Sequence, residues 1–385
     1  MLRSAVVVSQ QQMSETLRCI GRVACRSVVA TLHAKAAFEP DVSDPKLKNF
    51  QKAVPADQKK ETTRPPLVER QRRKIMPVRC GFAKNLRYAN STANDSSFFG
   101  DDACFIAKYR HASVVGVADG VGGWRTYGID PSKFSRSLME KCRELVESGE
   151  FDLRKPGELL ATAFFWLYAR RLNSPSSSGC STPSSPSSSS SSSSEREEEG
   201  EGPVVGSSTA CVVAFDADAS RMYTANLGDS GFVVVRRGKI VHRSEEQCHY
   251  FNAPFQLALP PGIERRDGAF LSDSPDMAEV STFAVEEGDL VLVATDGLFD
   301  NLPLESIEKE LAQVERDAAG ATLQAGCNSL ARQARPVGFD PRYMSPFAHK
   351  AQSHGISGMV GGKPDDVTVI LVLVGPPDVP TAAAE

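Results

Sequence analysis

The chain has 385 residues, 41% hydrophobic and 24% charged, enough to bury one large core or two modest ones. Its charge is unevenly divided: residues 1–80 hold 16 Lys and Arg against 7 Asp and Glu, and the remaining 28 against 41 leave the body near −13. So acidic a body is a poor match for nucleic acid, whose phosphates need a basic surface, and no apolar run, LLATAFFWLYA at 159–169 included, is long enough to span a bilayer.

Residues 1–38 carry Arg3, Arg18, Arg22, Arg26 and Lys35 against the single acid Glu15, among Ser and small apolar residues. This composition is that of a mitochondrial transit segment, with the matrix as the expected destination. Residues 39–79, with ERQRRK at 69–74, read as a basic linker, and residues 80–377 as one domain followed by a tail at 378–385. Within the domain, VVGVADGVGGW (Val114–Trp124) begins as a short apolar run typical of a buried strand. Pro131–Val146 then predicts a helix capped by Asp130, with Phe134, Leu138, Cys142 and Leu145 on one face, and Gly157–Leu172 a second. The Ser/Glu-rich stretch 174–202 has no apolar residue fit for a core and reads as a disordered insertion. After it, STACVVAFDAD, RMYTANLGDSGFVVVRRGKIVHR and FAVEEGDLVLVATDG predict strands joined by Asp, Gly and Arg-Gly turns. Leu304–Ala318 and Ala321–Arg335 read as helices, and DDVTVILVLV as a last buried strand. Hairpins with paired helices between them imply an α+β domain of antiparallel sheets covered by helices. Nine cysteines without a CxxC pair suggest reduced thiols in an intracellular compartment.

Acids recur at the strand boundaries. Asp119-Gly120 and Asp296-Gly297 follow strands, while Asp101-Asp102 and Asp365-Asp366 precede them. In an antiparallel sheet one strand's exit lies beside its neighbour's entrance, so these acids can meet on one rim. A lone Asp-Gly is usually a hairpin turn, but four acidic boundaries on one set of strands are harder to dismiss. Crowded carboxylates repel unless cations join them. Oxygen donors without His or Cys select Mg²⁺ or Mn²⁺. The carbonyl of Gly120 can serve as a further ligand. Two such ions roughly 3.5–4 Å apart can hold a shared water, lower its pKa and aim it as hydroxide at phosphorus. Phosphoester hydrolysis is the reaction class this predicts.

GDDA, VADGVGGW, ANLGDSG, ATDGLFD and PDDVTV, in that order over roughly 300 residues, resemble the metal-dependent protein phosphatases of type 2C. The resemblance implies a four-layer α-β-β-α sandwich, a binuclear Mn/Mg centre and phosphoserine or phosphothreonine substrates. It implies that Asp119 bridges both ions, that Gly120 ligates through its carbonyl, and that Asp296 and Asp365 complete one ion. Asp101 matches an acid acting mostly through water, with Asp102 its neighbour, and Asp229 and Asp300 match the acids of a weaker third ion. HYFNAPFQL, YMSPFA and GGKPDDVTV further resemble the mitochondrial T-cell-activation branch of that family, linked with coenzyme Q biosynthesis and mitochondrial turnover. A monomer acting on phosphorylated mitochondrial proteins is therefore expected. Two positions depart from the family pattern: Val121 stands where a general-acid histidine is usual, and Ser97 where a phosphate-binding arginine is.

GDSGF at 228–232 matches a serine-protease nucleophile loop only superficially, because no histidine motif completes a triad. His111, His242, His249, His349 and His354 lack metal-ligand spacing and read as surface or hydrogen-bonded residues. Trp124 and Phe299 read as packing residues under the acids. A phosphatase-like scaffold without turnover and a phosphatase of small metabolites are the competing readings.

Overall fold

Strands that are apolar along their whole length need cover on both faces, and several here have it. The computed structural model describes residues 72–85, 99–173, 204–261, 270–316 and 320–377, all within one unit, Val68–Glu385. The strands are β1 (Arg73–Phe82), β2 (Ala103–Tyr109), β3 (Ala112–Ala118), β4 (Gly206–Ser208), β5 (Ala210–Asp216), β6 (Arg221–Leu227), β7 (Gly231–Arg236), β8 (Lys239–Arg243), β9 (Cys248–Tyr250), β10 (Ala253–Pro254), β11 (Leu257–Leu259), β12 (Glu279–Ala284), β13 (Leu290–Ala294) and β14 (Val367–Pro377). The helices are α1 (Pro131–Ser148), α2 (Pro156–Asn173), the single turn α3 (Asp296–Phe299), α4 (Leu304–Arg316), α5 (Gly320–Gly338) and α6 (Pro346–Ser353).

Two five-stranded antiparallel sheets form, in the orders β12-β6-β5-β3-β2 and β1-β14-β13-β7-β8. They face each other across an apolar layer in which Val115, Val213 and Phe215 of the first meet Val234, Val293 and Ile370 of the second. On the outer side of the first sheet, Phe134, Leu138 and Leu160 of α1 and α2 pack with Phe105 and Val212. On the outer side of the second, Ile307, Leu311 and Leu330 of α4 and α5 pack with Val235, Leu292 and Leu371. The result is the expected α-β-β-α sandwich. Central strands β3, β5 and β13 are buried at every position, whereas edge strand β12 alternates between half-buried and exposed.

Helix α1 begins where its cap predicts, with Asp130 Oδ1 accepting from Ser132 N–H at 3.0 Å. Strand β1 starts at Arg73, inside the stretch read as linker. It is an edge strand paired only with β14, so Arg and Lys can point outward and Pro77 lacks no needed hydrogen bond. Sequence reading also missed α3 and α6, the latter capped by Ser345, whose hydroxyl accepts from Ala348 N–H at 3.1 Å. The transit-like segment, residues 39–71 of the linker, the 174–202 insertion and the 378–385 tail lie outside the described residues. No helix among the described residues is long and apolar enough to cross a membrane.

Candidate metal centre

The four acidic boundaries fall on two sheets, not on one set of strands: antiparallel register pairs them within each sheet, and the facing of the sheets brings the two pairs to one rim. Ala118 is paired with Ala103, so Asp119 leaves β3 beside Asp102 as it enters β2. Ala294 is paired with Val369, so Asp296 leaves β13 beside the entrance of β14, where Asp365 and Asp366 stand. Both glycines are needed for close approach: a Cβ on Gly120 would run into the Asp101 carbonyl oxygen, and one on Gly297 into that of Asp366.

Carboxylate oxygens of Asp119, Asp229 and Asp296 lie within 4.8 Å of one another. Thr209 holds Asp119 from both sides, its Oγ1 accepting from Asp119 N–H at 3.1 Å and its N–H donating to the Asp119 carbonyl at 3.0 Å. Among the described residues, Oδ1 of Asp229 and Oδ1 of Asp296 are buried without a hydrogen-bond partner, as are Asp101 Oδ2 and Asp102 Oδ1. Bare buried carboxylate oxygens are costly unless a cation meets them. Burial first, then the neighbouring Asp296 charge, pushes both Asp119 and Asp229 well above the usual carboxylate range. Burial and Asp366 do the same to Asp102. An all-oxygen donor set of this kind fits a hard divalent ion such as Mg²⁺ or Mn²⁺.

Two lysines enter the rim. Lys363 Nζ contacts Asp296 and lies 2.8 Å from Asp300 and 3.6 Å from Asp365. Lys84 Nζ lies 3.1 Å from Asp365, 3.6 Å from Asp101 and 3.7 Å from Asp366. Burial lowers each ammonium's pKa, but the carboxylates outweigh it and raise both above the ordinary lysine range. Arg125 pairs with Asp101 from the half-exposed side. It borders a cavity of about 320 Å³ that also reaches Arg136, Asp130 and Asp366.

Of the residues singled out from sequence, Asp119, Asp229 and Asp296 thus converge directly. Asp300 and Asp365 join them through Lys363, and Asp101 through Lys84. Asp102 is differently placed, accepting at Oδ2 from Thr295 Oγ1 at 2.8 Å and so linking the start of β2 to the end of β13. Gly120 bridges to Ser208. Val121 donates its N–H to the Ser207 carbonyl at 3.0 Å. Trp124 is buried as predicted, its Nε1 donating to Ser207 Oγ at 2.6 Å. His249 meets Asp273 at 3.0 Å and His242 stacks on Phe283, in line with structural roles. Ser97 lies outside the described residues.

Sequence reasoning missed Lys84 and Lys363. The signal was the unmet charge itself: an acidic rim can draw on lysines of its own chain as well as on ions. It also missed Glu246 and Cys248, which form a second close group with Asp229. Burial pushes the Cys248 thiol up to about 12, so the group presents a neutral sulfur.

Residues 92–326 match the family model described as Protein phosphatase 2C. The chain is 44% identical over 300 residues to the human protein named Protein phosphatase PTC7 homolog, covering 78% of this chain and 87% of that one. It is 45% identical over 294 residues to its zebrafish (Danio rerio) namesake, covering 76% and 87%. Among solved structures, that of the photosystem II phosphatase PBCP superposes with a TM-score of 0.57 at 24% identity, over 78% of this chain and 99% of that one.

Proposed function

The chain belongs to the protein phosphatase 2C family and is a protein serine/threonine phosphatase; from that premise we propose that its acidic rim is the catalytic centre and takes two divalent ions, Mn²⁺ or Mg²⁺. Asp119, Asp296, Asp365 and the Gly120 carbonyl would hold the pair, with Asp101 and Asp102 behind them and Asp229 and Asp300 available to a weaker third ion. The observation that carries this reading is the trio Asp119, Asp229 and Asp296, mutually close, with a bare buried oxygen on each of the last two. Ions there would neutralise the phosphate and activate a water for attack on phosphorus.

The protein's own part is to hold the acids in place. Thr209 fixes the height of Asp119 above the sheet. Asn301 Nδ2 donates to the Gly297 carbonyl at 3.0 Å and the Lys363 carbonyl at 2.9 Å, tying the Asp296 turn to the segment that carries Asp365. Val121 has no proton to give, so the leaving alkoxide is not protonated from that position.

The substrates under this reading are phosphoserine and phosphothreonine on mitochondrial proteins, in the matrix and in support of coenzyme Q biosynthesis. The basic, acid-poor composition of residues 1–38 and the resemblance to the mitochondrial branch support that location. Purified protein should release phosphate from a phosphothreonine peptide or p-nitrophenyl phosphate only with Mn²⁺ or Mg²⁺, and Asp119→Ala should abolish the release while the fold persists. No release at saturating metal would favour a non-catalytic phosphoprotein scaffold. Fractionation of cells carrying the full chain, with and without residues 1–38, tests the location: loss of mitochondrial recovery on deletion is expected, and unchanged recovery refutes the transit role.

A further inference from the structure

We propose that Lys363 is a tethered counter-ion that divalent cations must displace, so that this one side chain sets how tightly the acidic rim binds them. The inference rests on reading the rim as a divalent-ion site and deepens it.

Lys363 stands two residues before Asp365 in GGKPDD, and its backbone is pinned. Its N–H donates to Asn301 Oδ1 at 2.9 Å, and its carbonyl accepts from Asn301 Nδ2 at 2.9 Å. The same amide group holds the Gly297 carbonyl, so the base of the lysine is fixed relative to Asp296. From that base the side chain, 17% exposed, runs past the Phe347 ring, its ammonium 5.4 Å from the ring centroid, and ends among Asp296, Asp300 and Asp365. Two acids that would ligate an ion therefore already share an ammonium. A single positive charge cannot neutralise three carboxylates, yet it repels a divalent ion a few ångströms away. Asp296 makes the conflict concrete. Its Oδ2 contacts Lys363, while its Oδ1 is bare and Asp296 belongs to the close trio with Asp119 and Asp229. An ion entering that trio meets the ammonium across one carboxyl group. Lys84 differs, because its partners Asp365, Asp101 and Asp366 include no member of the trio.

The test compares Lys363→Met, Lys363→Gln and Lys363→Arg with the wild type in the full chain, by calorimetric titration with Mn²⁺ and by melting in chelator. The neutral variants should bind Mn²⁺ about tenfold tighter or more, the scale of one relieved like-charge contact, and should melt lower in chelator because three carboxylates lose their cation. The arginine variant, which keeps the charge, should stay within about twofold of wild type. Glutamine retains donors for the carboxylates, so it reports even if the methionine variant fails to fold. If wild type binds Mn²⁺ and turns over substrate while the neutral variants bind no tighter, the role of Lys363 is refuted and the phosphatase reading stands. If neither wild type nor the variants take up Mn²⁺, the role of Lys363 and the reading of the rim as a divalent-ion site fall together.

Discussion

Asp366 and Asp296 sit at the entrance of β14 and the exit of β13, neighbouring strands of one sheet, and both are almost fully buried. Asp366 spends its oxygens on backbone: Oδ1 accepts from Lys84 N–H at 2.6 Å and Oδ2 from Asp101 N–H at 2.8 Å. Asp296 leaves Oδ1 bare and offers Oδ2 to a lysine. Residue type and location are shared, so the hydrogen-bond inventory is what separates an acid that holds the chain from an acid placed to hold an ion.

The largest expected effect follows from that contrast. Asp296→Ala or Asp119→Ala should lower phosphate release by at least about a thousandfold, while melting in chelator stays unchanged or rises because a crowded buried charge is gone. Asp366→Ala should instead cost about 2–4 kcal/mol in denaturant unfolding, since two backbone amides lose their acceptor. A stable Asp366 variant lacking only activity would erase the distinction.

Acidity sharpens it further. Asp119 and Asp229 have pKa values raised on folding by burial and by Asp296, so the folded state binds more protons than the unfolded one between the two values. Stability in chelator should therefore fall as pH rises above the ordinary carboxylate range of about 4. With Mn²⁺ in excess, the ions replace the protons, and the gap between melting temperatures with and without metal should widen from about pH 5 to about pH 8. A gap that narrows would mean the carboxylates are not the ion's ligands. Trp124→Phe, which removes the donor to Ser207 and shrinks a buried indole to a single aromatic ring, should cost about 1–3 kcal/mol and leave metal affinity alone. The smallest effect belongs to deletion of residues 176–199, for which unchanged melting and turnover are expected.

Periodicity made the four longer helices legible and left the short α3 and α6 unread: Asp130 and Pro131 mark one start, and Phe134, Leu138 and Cys142 form its inward stripe, these three buried as read. Continuous apolar runs likewise marked β3, β5 and β13, because sheet and helix cover their two faces. Edge strand β1 was hidden by its charged residues, which an edge position tolerates: Lys74 and Arg79 are exposed, and Arg73 pairs with Glu287. Antiparallel geometry made the nearness of Asp119 to Asp102 and of Asp296 to Asp365 readable, each within its own sheet, whereas the meeting of Asp119 with Asp296 depends on how the two sheets face each other. The positions of Lys84 and Lys363 were not, since the first is brought to the rim by a loop and the second by the Asn301 anchor, neither of which follows from spacing.

The hydrogen bond from Thr295 to Asp102 has a mechanical meaning. Asp119 belongs to one sheet and Asp296 to the other, and the apolar layer between them is held by burial, which has no direction and so does not by itself fix the sheets' register. Thr295 and Asp102, buried at the very end of that layer, act as a dowel driven across the joint. The gauge between the two decisive acids is thereby set by a hydroxyl and a carboxylate that never need touch the substrate.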